Sequence, residues 1–124
     1  MIDNESRVEK LDELVYLSML YDFYGELLSN HKKRIFEDYI LNDLSLGEIA
    51  SEMDISRQGV HDIVKRCTIE LKKYEEALSL MERFTVIKQK LATIKELCIE
   101  IPKTGDFDKA QLIETLADDI LKEL

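Results

Sequence analysis

Apolar residues recur along this chain by steps of three and four, and almost nowhere do they alternate singly with polar ones. That is the period of amphipathic helices, not of strands, and it predicts an all-α fold. The first helix is expected over residues 6–28, with Val8, Leu11, Leu14, Val15, Leu20, Phe23, Leu27 and Leu28 as its apolar stripe. Ser29 or Asn30 then caps a helix over 31–42, whose buried face is Ile35, Phe36, Tyr39 and Ile40. From Gly59 to Pro102 neither proline nor glycine intervenes. Val60, Val64, Cys67, Leu71, Tyr74, Leu78 and Met81 form one seam there, and Phe84, Ile87, Leu91, Ile94 and Cys98 a second. One helix could continue through both, but a single unsupported rod of that length does not suit a small domain. Two helices are expected instead, roughly 56–78 and 80–100. Pro102-Lys103-Thr104-Gly105 reads as a loop, with Pro102 holding Ile101 out of helical geometry. Asp106 would cap a last helix lined by Ile113, Leu116, Ala117, Ile120, Leu121 and Leu124.

Within this pattern, residues 44–71 (LSLGEIASEMDISRQGVHDIVKRCTIEL) carry the most local information. Ser45 with Glu48 three residues later makes a capping box for a short helix. Met53-Asp54-Ile55 forms a tight turn, and Ser56 caps the helix that follows. Two helices joined in this way are a helix-turn-helix. Its predicted core is Ile49, Ala50, Ile55, Val60, Ile63 and Val64. Arg57, Gln58, His61 and Lys65 are left on the outer face of the second helix, beside Asp62. In a DNA-binding helix-turn-helix that face meets base edges in the major groove. Gly59 costs the helix about 1 kcal/mol relative to alanine, a cost explained if backbone comes close there to DNA or to a neighbouring helix.

Charge complicates this reading. The net charge is −9, the wrong sign for a simple polyanion binder. Residues 1–28 carry −5, residues 29–73 are neutral, residues 74–101 carry −1 and residues 102–124 carry −3. The densest basic run, His31-Lys32-Lys33-Arg34, opens a helix, where the macrodipole disfavours cations. Lys32, Lys33 and Arg34 are either a solvated turn or contacts for phosphate. The tyrosines and phenylalanine at 16, 21, 23 and 24 either cover the core or face a partner.

Composition excludes much else. With 45% hydrophobic and 35% charged residues, the chain has material for a core. There is no glycine-rich phosphate loop, nucleophile elbow or zinc-ligand spacing, and neither His31 nor His61 has a triad setting. An enzyme is not expected, nor a cofactor or metal. Cys67 and Cys98 lie on apolar stripes and read as buried free thiols, with a disulfide or metal ligation as the alternatives. The apolar run at 14–21 is too short to span a membrane, and no secretory leader is visible. A cytoplasmic protein without membrane insertion is expected.

The segment LSLGEIASEMDISRQGV resembles region four of bacterial sigma factors, which reads the −35 promoter element. Asp54 departs from that motif, which usually has a turn glycine there. A longer stretch, LSMLYDFYGELLSNHKKRIFEDYILNDLSLGEIASEMDISRQGVHDIVKR with YEEALSLMERF after it, resembles the YlxM-type helix-turn-helix proteins. That resemblance implies a DNA-binding, transcription-regulating protein linked to the signal recognition particle and the protein-targeting pathway. The expected architecture is a sigma region four-like or winged-helix-like bundle of three to four helices over residues 1–78. A helical extension over 79–124 would pack on it or on a dimer partner. The expected partners are DNA or the particle's RNA, signal recognition particle components and a second copy in a homodimer. The alternative is a protein-interaction module that binds the particle's GTPase, or itself, without reading DNA.

Overall fold

The computed structural model describes residues 4–124, with side chains from Glu9 onward. Six α-helices and one short 3-10 segment make up its regular structure: α1 (Asn4–Tyr24), the 3-10 turn Gly25–Leu27, α2 (Asn30–Ile40), α3 (Leu46–Met53), α4 (Arg57–Leu78), α5 (Leu80–Thr104) and α6 (Lys109–Glu123). The chain is all-α, as its periodicity predicts. It divides into two compact units, one ending at Ser79 and one running from Leu80 to Leu124. At the division Ser79 adopts left-handed backbone, φ 53°, and stops α4.

The first unit packs α1, α2 and α3 around α4. Val60, Val64, Cys67 and Leu71 give α4 a buried stripe at steps of four, three and four. Ile35 and Phe36 of α2 and Ile49 and Ala50 of α3 are buried with it. From α1 come Leu17, Leu20, Tyr21 and Tyr24, with Leu28 just beyond. This corrects the predicted stripe of α1. Leu11, Leu14, Val15 and Leu27 are exposed, and only Leu20 and Leu28 of the predicted set are buried; Phe23 is half-buried, and Val8 falls outside the described side chains. The helix carries apolar residues on more than one side, and the side bearing Tyr21 and Tyr24 has the neighbours. Both tyrosines belong to the core. Tyr21 donates its phenolic hydrogen to Glu37 of α2, and Tyr24 donates to Glu75 of α4. The Tyr21 ring lies 5.9 Å from that of Phe36, and Tyr24 lies 6.0 Å from Tyr74. Gly25 is required where α1 ends, since a Cβ there would come within 2.6 Å of the Tyr21 ring. Of the predicted helix-turn-helix core, Ile55 and Ile63 are half-buried, and Ile49, Ala50, Val60 and Val64 are buried.

The second unit is an antiparallel pair. Lys109 near the start of α6 meets Glu100 near the end of α5 at 2.7 Å, and Lys90 meets Asp119 at 3.9 Å. Leu97, Ile101 and Ile120 are its buried residues. Leu121 and Leu124 are exposed, which corrects their placement in the α6 stripe. The expected break at Pro102 is also corrected: α5 runs through it to Thr104. Proline there removes one donor in the last turn, where the helix is about to end. Gly105, at φ 71°, ends it, its amide donating to Ile101 at 2.9 Å. Asp106 makes no side-chain cap. The residue preceding α6 is Asp108, likewise without a capping bond. Cys98 is exposed, not buried, and Cys67 is buried; both are free.

Burial pushes the Cys67 thiol from an ordinary 9.0 up to about 11, against the lowering pull of Lys32. The folded state therefore holds a proton that the unfolded chain releases. The contribution is whole below pH 9 and is lost as pH rises through about 11. Urea unfolding followed across that window should show wild type losing stability more steeply than Cys67→Ala. Parallel losses would place the thiol in a wetter site than its burial indicates.

Candidate nucleic-acid interface

Local chemistry fixes the helix-turn-helix. Ser45 Oγ accepts the Glu48 amide at 3.1 Å and starts α3. Asp54 closes α3 in left-handed geometry, φ 54° and ψ 46°, and both its amide and that of Ile55 reach the Ala50 carbonyl. Ser56 Oγ then accepts the Gly59 amide at 2.9 Å and starts α4. A Cβ at Gly59 would lie 3.1 Å from that capping oxygen. The glycine therefore leaves room for the cap, and no neighbouring helix accounts for it.

With one side of α4 buried, the opposite side is displayed. Arg57, Gln58, His61 and Lys65 are all exposed, on the first three turns of one helix. Asp62 stands among them. The Gln58 amide nitrogen donates to its carboxylate at 3.1 Å, and His61 Nδ1 lies 3.8 Å away. Arg57 and Lys65 make no ion pair with any described residue.

The basic run at the start of α2 is divided. Lys32 lies 3.6 Å from Glu70 of α4, and its carbonyl accepts from the Cys67 thiol at 4.0 Å. Lys33 is paired with Glu26 at 2.6 Å; that hydrogen bond raises its pKa. Only Arg34 of the three is exposed without an ion pair among the described residues. The dipole conflict at this helix start is thus answered in part by carboxylates from within the protein.

Sequence reasoning passed over Arg66 and Lys73. Both are exposed on the α4 face opposite the buried stripe. The signal for them was present: Lys65-Arg66 and Lys72-Lys73 are basic doublets seven residues apart, and so share a helix face. Lys72 is engaged, 3.2 Å from Glu13 and 5.8 Å from the centre of the Tyr16 ring. Among the described residues no cluster of His, Cys, Asp and Glu could hold a metal, and no helix is long and apolar enough to cross a membrane.

Fold and displayed helix together define a helix-turn-helix protein. Residues 11–115 match the model of the UPF0122 family, described as "Putative helix-turn-helix protein, YlxM / p13 like", and the chain belongs to that family. The UPF0122 protein of Thermoanaerobacter sp. (strain X514) is 45% identical over 111 residues, covering 88% of this chain and 94% of that protein. The UPF0122 protein of Caldanaerobacter subterraneus subsp. tengcongensis is 49% identical over 88 residues, 71% of this chain and 74% of that one. The Bacillus cereus (strain AH187) protein is 37% identical over 106 residues, covering 86% and 96%. No solved structure matches the chain.

The turn supplies a direct test of local strain. Left-handed backbone costs a non-glycine residue roughly 1–2 kcal/mol, less for aspartate, which bonds locally. Asp54→Gly should therefore stabilise the first unit by up to about 1 kcal/mol, seen as a higher urea midpoint at unchanged slope. A lower midpoint would show that the Asp54 carboxylate contributes more than its backbone costs.

Proposed function

We propose that this protein is a DNA-binding regulator that lays the first turns of α4 in the major groove. Arg57, Gln58, His61 and Lys65 face the bases and nearby phosphates, and Arg34, Arg66 and Lys73 add phosphate contacts. Residues 1–78 are the reading domain in this proposal, and residues 79–124 an extension that supports a homodimer. The observation that carries it is the exposure of all four side chains on the first turns of α4: Gln58, His61 and Lys65 stand away from the buried stripe, and Arg57, in line with Val60 and Val64, is exposed at the start of the helix. A cytoplasmic role in the signal recognition particle pathway belongs to the same proposal and rests on the family resemblance.

Non-specific affinity should be low and strongly salt-dependent, because counterion release drives it. Removing one phosphate contact by Lys65→Ala or Arg66→Ala should lower the slope of log affinity against log salt by about one. Fluorescence anisotropy of a labelled duplex over a salt series measures this. Absence of saturable binding at low salt rejects the proposal.

A second reading, a protein-interaction module, is favoured by one observation. The outward side of α1 leaves Leu11 62% and Val15 59% exposed, with Leu14 and Met19 nearby. Substitution of Tyr21 or Tyr24 cannot probe that surface, since both are core residues. Val15→Asp can: it should abolish self-association in sedimentation at two concentrations while leaving the helical content unchanged. Identical sedimentation of both proteins removes self-association through this face.

A further inference from the structure

We propose that two copies of this chain associate reciprocally, the outward side of α1 in each seated on an exposed strip of α5 in the other. This rests on the self-association reading of the α1 surface and names what covers it. Steps of three and four place Leu11, Asp12, Val15, Met19 and Asp22 on one side of α1. Leu11 is 62% and Val15 59% exposed, and Met19 is exposed beside them. Both aspartates are exposed and make no ion pair with any described residue. The strip therefore has an apolar middle with a carboxylate toward each end.

The strip on α5 has the same layout and the opposite charge. Lys88, Leu91 and Lys95 follow one another by steps of three and four, with Cys98 three residues further on. Leu91 is 52% exposed. Both lysines and Cys98 are exposed too, and the lysines make no ion pair with any described residue. This is not the side that α6 covers: Leu97 and Ile101 are the buried residues of α5, and Lys90 and Glu100 are the ones that reach α6. Leu91 thus stands between two ammonium groups, as Val15 and Met19 stand between two carboxylates. Asp12 and Asp22 are about 15 Å apart along their helix, and Lys88 and Lys95 about 10 Å along theirs. The flexible four-carbon stems of the lysines span that difference.

Charge selects the pairing. Two α1 strips face to face would oppose carboxylate to carboxylate, and two α5 strips ammonium to ammonium. Of the three pairings, α1 with α5 is the one that joins unlike charges. Each strip carries the same sign at both ends, so either relative direction of the two helices satisfies it. A single helix-on-helix contact is small beside the roughly 800 Å² that each partner of a stable complex buries. A twofold arrangement makes the contact twice, because every copy carries both strips.

The test is sedimentation of the full chain over a concentration series. It compares wild type, an α1 variant (Asp12→Lys with Asp22→Lys), an α5 variant (Lys88→Glu with Lys95→Glu) and an equimolar mixture of the two variants. Wild type should pass from monomer to dimer as concentration rises. Each variant alone sets like charges together at both contacts and should raise the dimer Kd by more than about tenfold, with helical content unchanged. The mixture should recover the dimer. In it, the altered α1 of one copy meets the altered α5 of the other, and the two unaltered strips meet each other. A variant that merely misfolds is not rescued in this way. An α5 variant that still dimerises while Val15→Asp does not overturns the inference and leaves self-association through α1 standing. A mixture no more associated than its components also overturns it. Wild type that stays monomeric throughout removes the self-association reading, and this inference with it.

Discussion

Burial of one stripe on α4 is the constraint from which the rest of the first unit follows. Val60, Cys67 and Leu71 are wholly inaccessible, and Val64 nearly so. To cover them, α1, α2 and α3 must all close on the same side of the helix. Each fully buried residue of this size gains about 1.5–3 kcal/mol over leaving it in water, so the rotation of α4 about its own axis is firmly set. The opposite face has no choice but to face outward. The candidate interface is thus a by-product of core packing: the orientation of the helix that carries it is set before any ligand arrives.

Two polar ties refine that packing. Tyr21 to Glu37 and Tyr24 to Glu75 join α1 to α2 and to α4. Burial and the Glu37 hydrogen bond hold the Tyr21 phenol protonated well above its ordinary range, so it remains a donor. A phenol that is mostly buried needs such a partner, and the partner sits on one particular turn of the neighbouring helix. Apolar contact alone tolerates sliding by a fraction of a turn. These bonds do not, and they fix where α1 stops relative to α2 and α4.

The parts of the structure legible in the sequence are those that local chemistry decides. Ser45, Asp54 and Ser56 act within four residues of themselves, so their roles are decided by local sequence. The stripe of α4 was legible for a related reason: as far as Leu71 its apolar residues keep to one side, with Ile69 exposed on the other as the exception. α1 was misread because it does not. Leu11 and Val15 satisfy a helical period as well as Leu17 and Leu20 do, and only the tertiary partner decides between them. The same ambiguity misplaced Cys98, whose neighbours Leu97 and Ile101 turned inward instead. Pro102 misled differently. Proline is costly inside a helix, but at the last turn the acceptor it leaves unpaired is near solvent. In the candidate site, the exposed positions of α4 were foreseen. The pairings of Lys32 with Glu70 and Lys33 with Glu26 were not, because the carboxylates come from other segments.

Charge and specificity are connected through this division of the basic residues. With two of the three α2 cations already paired inside the protein, the proposed interface depends on α4 for most of its attraction. The remainder of the chain is acidic, with a net charge of −9 overall. Repulsion of that kind acts equally on every DNA sequence and so lowers the background affinity. Base contacts from the displayed face of α4, in the proposed reading, act on a few sequences alone. Against a genome of competing sites, the ratio of the two affinities decides occupancy, and either term can raise it. A helix-turn-helix with a neutral head and acidic flanks is therefore suited to tightening discrimination by suppressing the background, at the expense of overall affinity. On this view the acidic composition is compatible with nucleic-acid recognition, provided that the displayed face of α4 makes direct base contacts.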